Sequence, residues 1–316
     1  MKEKDRIACF PKLGDYSKPL NRLVEQSLGW KTMACLPITK RTVEIGAKNS
    51  PDTVCTPFKI ITGQFIEAIE KGANTFIMPA FGCRLGFYDI LHKQILADLG
   101  YEFEMVELFD YVATANKLYQ TFSKYKPDLT REKFDEILFG VAHEIVDMDK
   151  AADEKRRKGS GAKIGLVGDL YSVIEPHGNC NIEKWLAKND VQIIRITDLT
   201  YLAQNMFDIP KQIEGCGGYV DYYIGGNANC TISQAYKMIT QEKIDGLIHM
   251  KAATCTPEIT AMTVLQNMAQ DHNVPIMYLT FDTETGEAGL HTRLEAFLDM
   301  ITMKKENENE QSVSGS

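Results

Sequence analysis

The chain has 316 residues, 44% apolar and 25% charged, the balance of a soluble globular protein with room for one large domain or two of ordinary size. Lys and Arg number 35 against 43 Asp and Glu, a formal charge of −8, and no basic run tracks phosphates, which excludes nucleic acid as the expected partner. No stretch approaches the roughly 20 apolar residues needed to span a bilayer, and MKEKDRIACFPK lacks the apolar centre of a secretory signal, so a cytoplasmic protein is expected.

In chain order, short apolar runs alternate with longer amphipathic ones. RIACF, TMACLPI, NTFIMPAF and FEMVELF read as strands, with helices predicted over 57–71 and 88–99. Residues 111–158 are polar and helical in pattern, end in the basic cluster Lys155, Arg156, Arg157 and Lys158, and lead into KGSGAK at 158–163, which reads as a joint. KIGLVGDL, VQIIRIT, DGLIHM and PIMYLTF then read as strands, with helices over 181–188, 199–207, 230–241, 257–271 and 289–304. Alternation of this kind predicts α/β architecture: two flavodoxin-like or Rossmann-like lobes with parallel sheets, at 1–110 and 161–305, joined by a helical segment at 111–160. The tail 306–316 is polar and expected to be disordered. GSGAKIG precedes its strand instead of following it, and no Walker-type loop occurs, so no ATP site is expected.

Eight cysteines without a single CxxC exclude zinc ribbons, thioredoxin-type motifs and ferredoxin-type runs. Cys-Thr-Pro occurs twice, at 55–57 and 255–257, each time ahead of a helical run. Thr56 and Thr256 suit a helix N-cap and Pro57 and Pro257 the first helical position. Cys55 and Cys255 would then sit beside the positive end of a helix, where a thiolate is stabilised. Cys83, in FGCRLG directly after a strand, falls at the same kind of strand–helix junction, the edge where open α/β sheets bind ligands. These three could converge in the cleft between the lobes, or each could be a small buried hydrophobe. Cys9 and Cys35 lie in apolar strands and read as core. Cys180, Cys216 and Cys230 are on loops or helix starts; Cys180 and Cys230 are the remaining ligand candidates.

VCTPFKIITGQFIEAIEKGANTFIMPAFGCRLGFYDILHKQIL, DLYSVIEPHGNCNIEKWL and MKAATCTPEITA with FDTETGEAGLHTRLEAFLDM occur in the order found in one family. Together they resemble proteins related to 2-hydroxyacyl-CoA dehydratases and their activases, over most of residues 5–303, and most closely the short activase-related branch. The resemblance implies two α/β lobes holding an iron–sulfur cluster on three cysteines, which map onto Cys55, Cys83 and Cys255. It implies a 4Fe–4S cubane, or an 8Fe–9S double cubane as in a related branch that reduces small molecules. It also implies oxygen sensitivity, a dimer, and an electron delivered by a separate ATP-driven activase, since the chain lacks the ATPase domain of some relatives. GGNANC departs from many relatives and leaves Cys230 as an extra cysteine near the proposed site.

Three thiolates leave one iron of a cubane open to a fourth ligand, which suits a thioester carbonyl. The implied reactions are dehydration of a 2-hydroxyacyl-CoA or reduction of a small molecule. The alternative is a non-catalytic role as an electron carrier or a zinc-binding scaffold. Polar candidates near the cysteines are Arg84, Lys59 and His249, with solvated or structural roles as their competing explanations. Glu175 and Glu287 lie in turn-rich segments expected at the cleft, Glu287 alternatively as a helix-start residue.

Overall fold

A computed structural model describes residues 5–78, 88–108, 114–206 and 208–314. The chain divides into two compact units, one of Met1–Lys150 with Leu199–Asp208, the other of Ala151–Asp198 with Ile209–Ser316.

The first unit is built on β1 (Ile7–Cys9), β2 (Lys31–Thr32), β3 (Thr75–Met78) and β4 (Glu104–Glu107), all parallel, in the order β2-β1-β3-β4. Around them lie α1 (Ser17–Leu28), α2 (Lys40–Lys48), α3 (Thr56–Glu70), α4 (Tyr88–Asp98), α5 (Ala115–Tyr125) and α6 (Arg131–Arg156), the last of which passes into the second unit at Ala151. α3 is the core element: its TPFKIITGQFIEAIE buries residues on nearly every side, and Ile61, Phe65 and Ile66 pack with Phe76 and Met78 of β3. Gly46 of α2 and Gly63 of α3 let the two backbones touch; a Cβ on either would meet a carbonyl oxygen of the other helix at 1.8 or 1.9 Å. Of the strand expected in TMACLPI only Thr32 pairs with β1, together with Lys31 just before it, and Met33 adds one hydrogen bond to the Ala8 carbonyl. Pro37 has no N–H to continue the ladder.

The second unit repeats the topology. β5 (Lys163–Gly168), β6 (Gln192–Ile194), β7 (Gly246–Ala252) and β8 (Ile276–Phe281) run parallel in the order β6-β5-β7-β8. Its helices are α7 (Leu170–Ile174), α8 (Ile182–Lys188), α10 (Ile209–Glu214), α11 (Ala228–Lys237), α12 (Thr256–Asp271) and α13 (Glu287–Ser314), with a π-helical turn at Met238–Glu242. α9 (Leu199–Asn205) belongs to the first unit. Strand alternation divides the core: Ile164, Leu166, Ile248 and Met250 pack with Leu186, Leu294 and Phe297, whereas Val167 and Leu247 pack with Ile232, Ala235, Leu265 and Met268. Both sheets follow the first four strands of the flavodoxin order, with the change of direction between β1 and β3 and between β5 and β7. The two-lobed α/β expectation therefore holds.

Two differences from the sequence reading have physical causes. α1, α2, α7 and α10 were not anticipated: α7 is five residues long and begins inside the run KIGLVGDL read as strand, and the other three are polar along much of their length. The tail expected to be disordered is helical as far as Ser314, an extension of α13 through the helix-forming run MKKENENEQ, with Lys304 and Glu308 paired one turn apart. The returning segment of the first unit is tied down by Asp149, which is 5% exposed. The Asp149 carboxylate accepts from Tyr16 Oη at 2.5 Å and from Thr200 N and Oγ1 at 3.0 and 2.5 Å. No helix among the described residues is long and apolar enough to cross a membrane.

Candidate functional site

The two Cys-Thr-Pro copies start helices in the same way, one residue out of step with the sequence expectation. Cys55 and Cys255 themselves are the N-caps of α3 and α12, both with extended backbone; threonine is the first helical residue and proline the second. Their carbonyls accept the first helical bonds, from Lys59 N at 3.3 Å and Ile259 N at 3.0 Å. Neither thiol makes a side-chain cap bond. Each sulfur thus stands where a serine or aspartate oxygen ordinarily caps a helix, half-buried, at the positive end of the dipole. That position favours a thiolate and suits a thiolate-bound metal group.

The supports of the two cysteines differ. α3 descends into Lys71-Gly72 and the start of β3, so its Cys55 end lies toward the carboxyl edge of the first sheet. There Cys55 Sγ is hydrogen-bonded to Tyr88 Oη of α4. Lys59, one turn into α3, sends Nζ to the Asp52 carbonyl at 3.4 Å. Cys255 lies just beyond β7, with its N–H on Ala252 O at 3.1 Å. Cys83 and Arg84 lie outside the described residues.

Behind Cys255 a buried polar network fills the switch point between β5 and β7. Asp169, immediately after β5, accepts from Ser172 N and Oγ at 2.9 and 2.7 Å and from Ala252 N at 2.7 Å, closing β5 onto the end of β7. Burial pushes its carboxyl up, against the pull of the Ser172 bonds. His249 of β7 bonds Glu258 of α12 at 2.8 Å through Nε2, with both side chains fully buried. Glu258 Oε1 is 3.0 Å from Thr231 Oγ1, which is 3.1 Å from Gly168 O; Asn227 Nδ2 donates to the same carbonyl at 2.7 Å. His249 is therefore a positioning residue that fixes the first turn of α12, and through it Cys255, to the central strand. Glu258→Leu is expected to destabilise the second unit by about 3 kcal/mol, because it strands a buried imidazole, while Glu258→Gln keeps most of the stability. Urea unfolding of the two variants measures the difference.

The other candidates fall elsewhere. Cys180 has a left-handed backbone (φ 54°) and packs against the second-unit core; burial, then the nearby Glu287 carboxylate, push its thiol up. Cys230 is buried in the first turn of α11. Cys216 donates to the Gln212 carbonyl at 3.2 Å, and burial raises it to about 11, which makes it a protonated core residue. Glu175 is fully buried where α7 ends, and Glu287 is exposed in the first turn of α13, the helix-start role. Among the described residues no group of three or more His, Cys, Asp or Glu could hold a metal ion. The sequence reading singled out His249 but passed over Asp169, Thr231 and Glu258. Asp169 had a visible signal, a carboxylate directly following an apolar strand.

Residues 149–301 match the family model described as 2-hydroxyglutaryl-CoA dehydratase, D-component. The match includes Asp169, His249, Cys255 and Glu258 and stops short of Cys55. No curated protein matches. Among solved structures, a zinc-bound AdcAII variant from Streptococcus pneumoniae is 8% identical, covering 94% of this chain and 98% of that one, with a TM-score of 0.27. Zinc-bound AdcA from the same organism is 10% identical over 95% of this chain and 57% of its own length, also with a TM-score of 0.27. At those scores neither likeness bears on fold or function.

Proposed function

Because residues 149–301 belong to the family of the 2-hydroxyglutaryl-CoA dehydratase D-component, we propose that this chain is an iron–sulfur protein of radical 2-hydroxyacyl-CoA dehydration, supplied with electrons by a separate ATP-dependent activase. The observation that carries the reading is the doubled helix start, with Cys55 and Cys255 as N-caps of α3 and α12. With Cys83 they are the proposed ligands of a 4Fe–4S cluster. When bound, the cluster supplies a low-potential electron and an open iron for a thioester carbonyl.

The chain's own residues do the rest. The α3 and α12 dipoles stabilise the Cys55 and Cys255 thiolates. Tyr88 orients the Cys55 sulfur through its hydroxyl, and the His249–Glu258 pair holds the α12 start against β7. Lys59 and Arg84 are the cationic candidates for holding an anionic group of the substrate. A small molecule reduced at the same site, as in double-cubane proteins, is the second substrate class the family allows.

Anaerobic purification followed by iron and sulfide analysis tests the reading. Roughly four irons per chain are expected, the content of one cubane. Cys55→Ala, Cys83→Ala and Cys255→Ala should each lose most of the iron, and Cys9→Ala and Cys35→Ala should keep it. About eight irons would indicate the double cubane. Stoichiometric zinc without sulfide, or full iron in Cys83→Ala, would overturn the assignment.

A further inference from the structure

Cys9 and Cys35 have no part in the proposed ligand set, yet they are not independent core residues. Cys9 is the last residue of β1, and Cys35 follows β2 by three positions. The two strands are parallel neighbours in the register Ala8↔Thr32, so both chains leave the sheet over the same carboxyl edge. Beyond that edge the two thiols turn onto one atom. Cys9 Sγ donates to the Phe10 carbonyl at 3.3 Å and Cys35 Sγ donates to the same oxygen at 3.1 Å. Two sulfurs converging on one buried oxygen lie side by side, and the Cys9 thiol is pushed up first by its hydrogen bond with Cys35, then by burial. Cys9 therefore keeps its proton beside the Cys35 sulfur.

We infer that Cys9 and Cys35 form a vicinal dithiol, a modification site that a small-molecule disulfide oxidises reversibly to an intramolecular Cys9–Cys35 bond. Exposure sets the order of events. Cys9 is 4% exposed and out of reach of an outside reagent, whereas Cys35 is half-buried and reachable. The Cys35 thiol gives up its proton and its sulfur attacks one sulfur of the disulfide; the sulfur–sulfur bond of the reagent breaks, and the small thiolate that leaves takes up that proton. The Cys9 sulfur then attacks the Cys35 sulfur of the mixed disulfide and expels the second small thiolate, which takes the Cys9 proton. The protein loses two electrons and two protons, and the reagent becomes two thiols. The register places Cys9 opposite Met33, two residues before Cys35, so the closing bond spans the end of β1 and the segment just beyond the ladder. The product ties the end of β1 to the segment after β2, where the sheet ladder has stopped.

The test uses the full chain, purified anaerobically and reduced, then exposed to glutathione disulfide and mapped by differential alkylation and peptide mass spectrometry. In the unaltered protein a Cys9–Cys35 disulfide should form, with little glutathione retained on Cys35, and dithiothreitol should restore both thiols. Cys9→Ser should lose the intramolecular bond and accumulate glutathione on Cys35. Cys35→Ser should leave Cys9 unmodified for as long as the protein stays folded. Glutathione retained on Cys35 of the unaltered protein to the level of Cys9→Ser, an unreactive Cys35, or Cys35 joined to a different cysteine would each overturn the inference. The map of the unaltered protein decides even where a variant folds poorly. The iron measurement is separate, so failure here leaves the proposed function standing and the reverse also holds.

Discussion

Gly63→Ala and Gly46→Ala should each destabilise the first unit by about 3 kcal/mol or more, among the largest effects of any single methyl group in this protein. The added Cβ of Gly63→Ala would lie 1.9 Å from the Thr42 carbonyl oxygen, and that of Gly46→Ala 1.8 Å from the Lys59 carbonyl oxygen. The obstacles are backbone atoms, so no rotamer change relieves them. α2 and α3 would have to separate, and with them the contacts of Glu67 with Thr42 Oγ1 at 2.6 Å and Arg41 at 2.8 Å. A loss of this size is a large part of the roughly 5–15 kcal/mol that holds a domain folded. The midpoint of urea unfolding reads it out, with Gly140→Ala as the control. Gly140 lies within α6 with open space around it, so alanine there should be neutral or stabilising by about 0.5–1 kcal/mol. Equal midpoints for Gly63→Ala and Gly140→Ala would contradict the packing described.

Lowering the pH should weaken the first unit through His92. Its ring stacks on Phe58 with centroids 3.8 Å apart and planes within 5°, meets Phe65 edge-on, and hydrogen-bonds through Nδ1 to Thr62 Oγ1 at 3.1 Å. Nε2 has no partner among the described residues, and burial lowers the pKa from 6.5 to about 3. The folded protein thus holds His92 neutral while the unfolded chain takes up a proton below about pH 6.5. Stability present above that pH is lost as pH falls toward 3, by about 1.4 kcal/mol per pH unit and on the order of 5 kcal/mol in all. His92→Gln, which cannot charge, should flatten this part of the curve. Urea unfolding at pH 7, 5 and 4 compares them, and parallel losses in the two proteins would refute the assignment to His92.

Much of the architecture was legible because it is written in local periodicity. Seven of the eight described strands were visible as apolar runs, the eighth keeping only Thr32 of the expected TMACLPI, and Cys-Thr-Pro twice marked a helix start, although the cap proved to be the cysteine and not the threonine. What stayed hidden depends on residues far apart in the chain. Gly46 and Gly63 are ordinary glycines until two helices cross on them, and His92 looks like a surface residue of α4 until Phe58 covers it. Cys9 and Cys35 read as two separate core cysteines because nothing in RIACF or TMACL says that the strands are adjacent. Glu258 was passed over since a glutamate in the first turn of a helix ordinarily serves the dipole in water; here a histidine on the neighbouring strand takes it into the core.

The detour of Leu199–Asp208 limits how this protein can be cut or recombined. Asp149 lies near the end of the first continuous stretch of the first unit, and the Thr200 groups that satisfy it arrive fifty-one positions later. A fragment ending at Lys150 would carry the acceptor carboxylate and its Tyr16 donor but leave both Thr200 donors behind. The first lobe is therefore not a cassette that a single crossover at its apparent boundary could transplant, because a segment embedded in the other half of the chain completes its bonds.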